Sequence, residues 1–124
     1  MNYILFVEMV QDRIGAEDAR DAVKAIEATL KTLGERITEA EAAHLARMLP
    51  AEIGRFLTVV DTNKDFDLQT FYENVSRREL KDEQESREHA QAVLSVVAET
   101  VLPGELREVL AQLPYEYQQL LPLL

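Results

Sequence analysis

The sequence predicts an all-α protein: about eight helices in two tandem four-helix repeats, packed as one compact helical domain. Three observations carry that prediction. Leu49-Pro50-Ala51-Glu52-Ile53-Gly54-Arg55-Phe56-Leu57 returns 64 residues later as Leu113-Pro114-Tyr115-Glu116-Tyr117-Gln118-Gln119-Leu120-Leu121, keeping the Leu-Pro pair, the glutamate and three large apolar positions. Phe6-Val7-Glu8-Met9-Val10 is answered by Phe71-Tyr72-Glu73-Asn74-Val75 at a shift of 65. Elsewhere apolar residues recur at spacings of three and four, and no alternating strand pattern or hairpin turn interrupts them. The whole chain, residues 1–124, is expected to form a single domain, with repeats over 3–60 and 67–124 and a linker at 61–66. Neither repeat covers its own apolar face alone, so a shared seam is expected.

The first helix spans residues 3–14, with Phe6, Val7, Val10 and Ile14 on one face, and Gly15 breaks it. A longer helix over 16–33 turns Ala19, Val23, Ile26, Leu30 and Leu33 inward, and Gly34 is expected to cap it in the left-handed conformation. Thr38-Glu39-Ala40-Glu41 has the form of a capping box, since Thr and Glu three residues apart can satisfy each other's backbone amides. The third helix continues through Ala42, Leu45 and Leu49. Pro50, lacking an amide donor, ends it or opens a short fourth helix that buries Ile53, Phe56, Leu57 and Val60. After the polar linker the pattern restarts. A second long helix over 82–101 buries Ala90, Val93, Leu94, Val97 and Val101, followed by Leu106, Val109, Leu110 and Leu113, and then by a short helix over 114–121.

A chain of 124 residues buries enough surface to fold without metal or disulfide. Cysteine is absent, which removes disulfides, thiolate metal sites and a cysteine nucleophile. The net charge of −10 repels phosphate backbones and anionic lipid, so neither nucleic acid nor membrane is an expected partner. The acidity is uneven: residues 1–60 carry 10 acids and 7 bases, residues 61–124 carry 13 acids and 6 bases. The apolar run Tyr3–Val7 is broken by Glu8 and has no basic flank, and no stretch approaches the ~20 residues of a membrane-spanning helix. A cytoplasmic location is the expectation.

Few residues suggest chemistry. Asp61, Asn63, Asp65 and Asp67 alternate like the oxygen ligands that open a calcium loop, but Phe66 stands where the loop's turn needs glycine, and Tyr72 where a bidentate glutamate belongs. Helix capping by Asp67 is the simpler expectation. Glu41 and His44 have the Glu-x-x-His spacing of di-iron bundles, but His89 is preceded at that distance by Ser86, and the repeat partners of Glu41 and His44 are Glu105 and Glu108. Both histidines are expected to be satisfied surface residues. Ser76, Ser86 and Ser95 lie in no nucleophile-elbow pattern, and the four glycines form no phosphate loop. Asp82–Glu88, preceded by Arg77, Arg78 and Lys81, is expected to be a solvated helix start favoured by the helix dipole. Four leucines among the last five residues, Leu120 to Leu124, are expected to close over the core; left exposed, they would form an adhesive patch.

Phe6–Val10, the Ala19–Leu33 helix and Leu45-Ala46-Arg47-Met48-Leu49-Pro50, then Phe66–Val75 and Leu110-Ala111-Gln112-Leu113-Pro114, stand in an order and spacing that covers nearly the whole chain. On these motifs the chain resembles the bacterial domain of unknown function 2267 family. The resemblance implies a tandem repeat of one helical unit, places Phe66-Asp67-Leu68 at the start of the second repeat's first helix, and implies no activity. No catalytic, cofactor-binding or metal-binding residue is therefore assigned, and no cofactor is expected. The leading expectation is a non-enzymatic protein that acts by binding another protein or itself. The alternative is a small-ligand-binding protein or enzyme with a polar pocket between the repeats, and a minor alternative is calcium binding at residues 61–67.

Overall fold

Short polar side chains start five of the helices. In the computed structural model, which describes residues 1–122, Asn2, Asp18, Thr38, Asp67 and Asp82 each accept a hydrogen bond from a backbone amide three residues on. They open α1 (Tyr3–Ile14), α2 (Ala19–Arg36), α3 (Glu39–Ala46), α5 (Leu68–Glu79) and α6 (Glu83–Thr100). Thr38 and Glu41 complete the predicted capping box, the Glu41 carboxylate accepting from the Thr38 amide at 3.1 Å. The remaining elements are α4 (Ala51–Thr58), α7 (Glu105–Ala111) and a 3-10 helix, Tyr115–Leu120. Pro50 and Pro114 stand immediately before α4 and the 3-10 helix with extended ψ, where a missing amide costs nothing. Among the described residues there is no strand.

α2 and α6, each of 18 residues, run through the middle and pack on one another. α1 packs on α2 and on α6, α5 on α6 and on α2, and α4 fills the remaining side of α2. Residues from all these elements join one core, with Phe6, Ile26, Leu30, Phe71, Leu94 and Tyr117 fully enclosed. This central position explains a departure from the expected pattern of α2. Ala19 is exposed and Val23 half-buried, whereas Ala22, Ala25, Ala28, Thr29 and Thr32 are buried beside Ile26, Leu30 and Leu33. A helix with neighbours on several sides buries more than one stripe, and small residues let those neighbours approach.

Gly34 is not the left-handed cap expected of it: α2 continues to Arg36, and Gly34 is buried within it. A Cβ there would collide with the Leu57 carbonyl oxygen and lie 2.9 Å from its carbon. The α2–α4 approach therefore depends on this glycine, as the α4–α3 approach does on Gly54, where a Cβ would meet the Ala46 carbonyl oxygen at 2.5 Å.

The linker is held down. The Asn63 and Lys64 amides donate to the carbonyls of Ile37 and Glu35 at 2.8 and 2.7 Å, with Asn63 at a φ of 61°. Arg36 donates from Nε to the Phe66 carbonyl at 2.7 Å and lies over the Phe66 and Tyr117 rings. The Tyr117 hydroxyl donates to that same carbonyl at 2.5 Å, and burial pushes its pKa up to about 12. This clamp ties the last element, a 3-10 helix, to the linker. Tyr117 and Leu120 are the buried pair, three residues apart on the tighter winding, with the Tyr117 ring edge-on to Phe71. Leu120 and Leu121 do close over the core; Leu123 and Leu124 of the predicted leucine-rich tail lie outside the described residues.

Candidate functional site

The corner between α5 and α6 departs most from an apolar helical frame. α5 ends where Leu80 takes the left-handed conformation, φ 62°, its amide donating to the Ser76 carbonyl at 2.8 Å. Ser76 Oγ secures the turn by donating to the Lys81 carbonyl, and Asp82 then caps α6. The turn drives the Glu79 side chain inward, leaving the residue 2% exposed. Both carboxylate oxygens are satisfied from the first turns of α6. Ser86 Oγ donates to Oε1 at 2.9 Å, and His89 Nδ1 lies 2.6 Å from Oε2. When Nδ1 donates to this carboxylate, Nε2 is the ring nitrogen left over, on the Glu85 side. The hydrogen bond to Glu79 raises the His89 pKa above 6.5 against the opposing effect of burial; Glu79 and Glu85 charges add to the rise and Lys81 lessens it.

Across from this cluster lie the α1–α2 connection, Gly15 to Asp18, and Asp21 and Lys24 on the first turns of α2. Together they enclose a cleft of about 280 Å³ between the two halves of the chain, lined also by Lys81, Glu85, Glu79 and His89. Nε2 has Glu85 Oε2 at 3.9 Å, too far for a hydrogen bond.

Counting from the caps shows what is unusual. Gly15, at φ 68°, closes α1 as Leu80 closes α5, and Asp18 caps α2 as Asp82 caps α6. The positions of Glu79, Ser86 and His89 are therefore taken in the first half by Ile14, Ala22 and Ala25. One corner is apolar; the other replaces three apolar side chains by a carboxylate, a hydroxyl and an imidazole that hydrogen-bond to one another.

His89 is thus not the surface histidine expected: its side chain is 12% exposed because Glu79 draws it inward. Nor is Asp82–Glu88 uniformly solvated, since Ser86 within it is fully buried. Glu79 was not singled out by any motif. The signal that could have found it is the simultaneous polar replacement at three aligned positions. The hydroxyl of Ser86 donates to the carboxylate and not to imidazole, so a serine–histidine nucleophilic pair is not formed.

The other sequence candidates stay apart. His44 Nε2 reaches Glu105 Oε2 at 3.1 Å, joining α3 to α7, while Glu41 is occupied by its cap. Of the alternating linker residues, Asp65 pairs with Arg36 at 3.4 Å and Asp67 accepts from the Thr70 amide. Ser95 Oγ accepts from Arg13 and donates to the Ala92 carbonyl. Among the described residues no three histidines or acids converge as metal ligands, and no helix is long and apolar enough to cross a membrane.

A family model described as Uncharacterized conserved protein (DUF2267) matches residues 3–120. No curated protein matches the chain.

Proposed function

The chain belongs to the DUF2267 family of uncharacterized conserved proteins, and from that premise we propose a non-enzymatic binding protein, built from two copies of one helical unit, that holds a ligand in the cleft between them. One observation supports this reading above others. A fold of this kind needs only apolar side chains at the α1–α2 corner, as Ile14, Ala22 and Ala25 show, yet the matching α5–α6 corner buries a hydrogen-bonded Glu79–Ser86–His89 cluster. Burying such groups is at best neutral for stability compared with apolar packing, so a role in recognition accounts for them better than a role in folding. The test is a titration of the 15N-labelled protein with a panel of amino acids, polyamines, dicarboxylates and nucleotides. Amide shifts confined to residues 15–24 and 79–89 are expected. Shifts elsewhere, or none, would remove the reading.

A second reading, docking of a protein or a second copy, is favoured by exposed apolar side chains where α1 begins beside the end of α6. Met1, Ile4, Leu5 and Leu102 are 49, 66, 46 and 61% exposed, and the Thr100 hydroxyl contacts Met1 Sδ at 3.6 Å. Sedimentation of the wild type and Ile4→Glu decides: a dimer lost in the variant supports it, and a monomer at every concentration speaks for the cleft alone.

A further inference from the structure

We propose that His89 Nε2 and the Glu85 carboxylate bind a divalent transition-metal ion at the mouth of the cleft, with Glu79 and Ser86 as positioning residues behind them. On the binding reading above, on which this depends, the ion is the cleft's ligand or the anchor for it. Metal-binding histidines characteristically donate their second ring nitrogen to a carboxylate, which selects the tautomer and holds the ring still. His89 has that arrangement already. Nδ1 is held at 2.6 Å by a buried carboxylate whose other oxygen is fixed by Ser86 at 2.9 Å. The nitrogen left over, Nε2, has the Glu85 carboxylate near it, and both residues line the cleft.

The spacing suits one ion. Nε2 and Glu85 Oε2 are 3.9 Å apart. Zinc bonds to nitrogen and oxygen of about 2.0–2.2 Å span up to about 4.2 Å, and a tetrahedral angle needs about 3.4 Å. Glu85, with a side chain 46% exposed, can close the remaining half ångström (roughly) by rotation. Two protein ligands leave the other positions to water or to donor atoms of a second molecule. An imidazole nitrogen with one carboxylate matches zinc, nickel or copper better than calcium or magnesium, which take oxygen. Lys24 and Lys81 line the cleft and oppose a cation, whereas Glu17 and Asp21 face it from the opposite wall. Counting Asp18, Glu79 and Glu85 as well, five acids line the cleft against two lysines, a balance that favours a cation.

The test is calorimetric titration of the full chain with zinc chloride, paralleled by 15N detection of the imidazole nitrogens. One-to-one binding is expected, with a large shift of the His89 Nε2 resonance and at least a tenfold loss of affinity in Glu85→Gln. Glu85 is half-exposed, so that variant keeps the fold. Glu79→Gln is expected to weaken zinc by about 10–100-fold, the usual cost of losing a carboxylate behind a metal-binding histidine. No heat at millimolar zinc, binding that survives Glu85→Gln with Nε2 unmoved, or binding of calcium chloride but not zinc would each overturn the proposal. Metabolite-induced shifts in the cleft without zinc binding would overturn the ion and leave the binding reading standing.

Discussion

Replacing Gly34 by alanine sets two effects of opposite sign against each other. Alanine is the better helix former by about 1 kcal/mol in a helix interior, and Gly34 lies within α2. By propensity alone the variant should be more stable. The added Cβ, however, would fall on the Leu57 carbonyl oxygen and lie 2.9 and 3.1 Å from its carbonyl carbon and Cα. These are backbone atoms, so no side chain can rotate out of the way. α4 must instead retreat from α2, loosening Ile53 and Leu57, both fully buried. Overpacking costs about 1–3 kcal/mol, and a rigid backbone contact belongs at the upper end. The net expectation is a loss of about 2 kcal/mol after the propensity gain, or about 7 °C in melting temperature for a domain of this size. Urea denaturation followed by circular dichroism measures it, with Gly15→Ala as the control. Gly15 has nothing within 4 Å of a Cβ but sits at φ 68°, so its cost is conformational, about 1 kcal/mol. A Gly34→Ala variant as stable as wild type, or less damaged than Gly15→Ala, would refute the packing account of the α2–α4 contact.

Leu80→Gly is expected to raise stability by about 0.5–1 kcal/mol, because the left-handed conformation costs leucine more than glycine loses in unfolded-state entropy. Leu80 is 81% exposed and gives up little burial; a lowered urea midpoint would show that its side chain makes contacts the fold needs. Leu49→Ala is expected to cost about 2–3 kcal/mol, and Leu113→Ala less, since Leu49 is 7% exposed and Leu113 only partly buried. Pro50→Ala and Pro114→Ala should cost less than Leu49→Ala in chemical denaturation, and a costlier proline would overturn the role of Leu49 in the core. Burial pushes the Glu35 carboxyl up, but hydrogen bonds from Arg78 and Lys64 outweigh it and hold the pKa below 4.5. A depressed carboxylate contributes stability above its unfolded pKa and loses it as pH falls through the folded value. Glu35→Gln should therefore narrow the stability difference between neutral and acidic pH. Denaturation curves either side of that range check it, and an unchanged difference would show that the Arg78–Glu35–Lys64 group adds no stability.

What the sequence by itself determined is local. Thr38 with Glu41, and Asp67, could be identified as caps because capping joins a side chain to an amide three residues away. The inward faces of α1 and α6 followed from spacing, and Phe6, Val7 and Val10, with Ala90, Val93, Leu94 and Val97, are buried where the pattern put them. Tertiary structure decided the rest, wherever the relevant neighbour is distant in the chain. Gly34 looks like a helix end until Leu57 is brought against it, and the burial of Thr29 and Thr32 depends on α2 being surrounded. The burial of Tyr117 depends on its hydroxyl reaching the Phe66 carbonyl, 51 residues earlier. The candidate site was half legible: Ser86 and His89 stood out as residues without a motif, but Glu79 belongs to another helix. Only the left-handed turn at Leu80 folds its carboxylate under α6, and there the cost of burying a charge is offset by two hydrogen bonds that no sequence spacing prescribes.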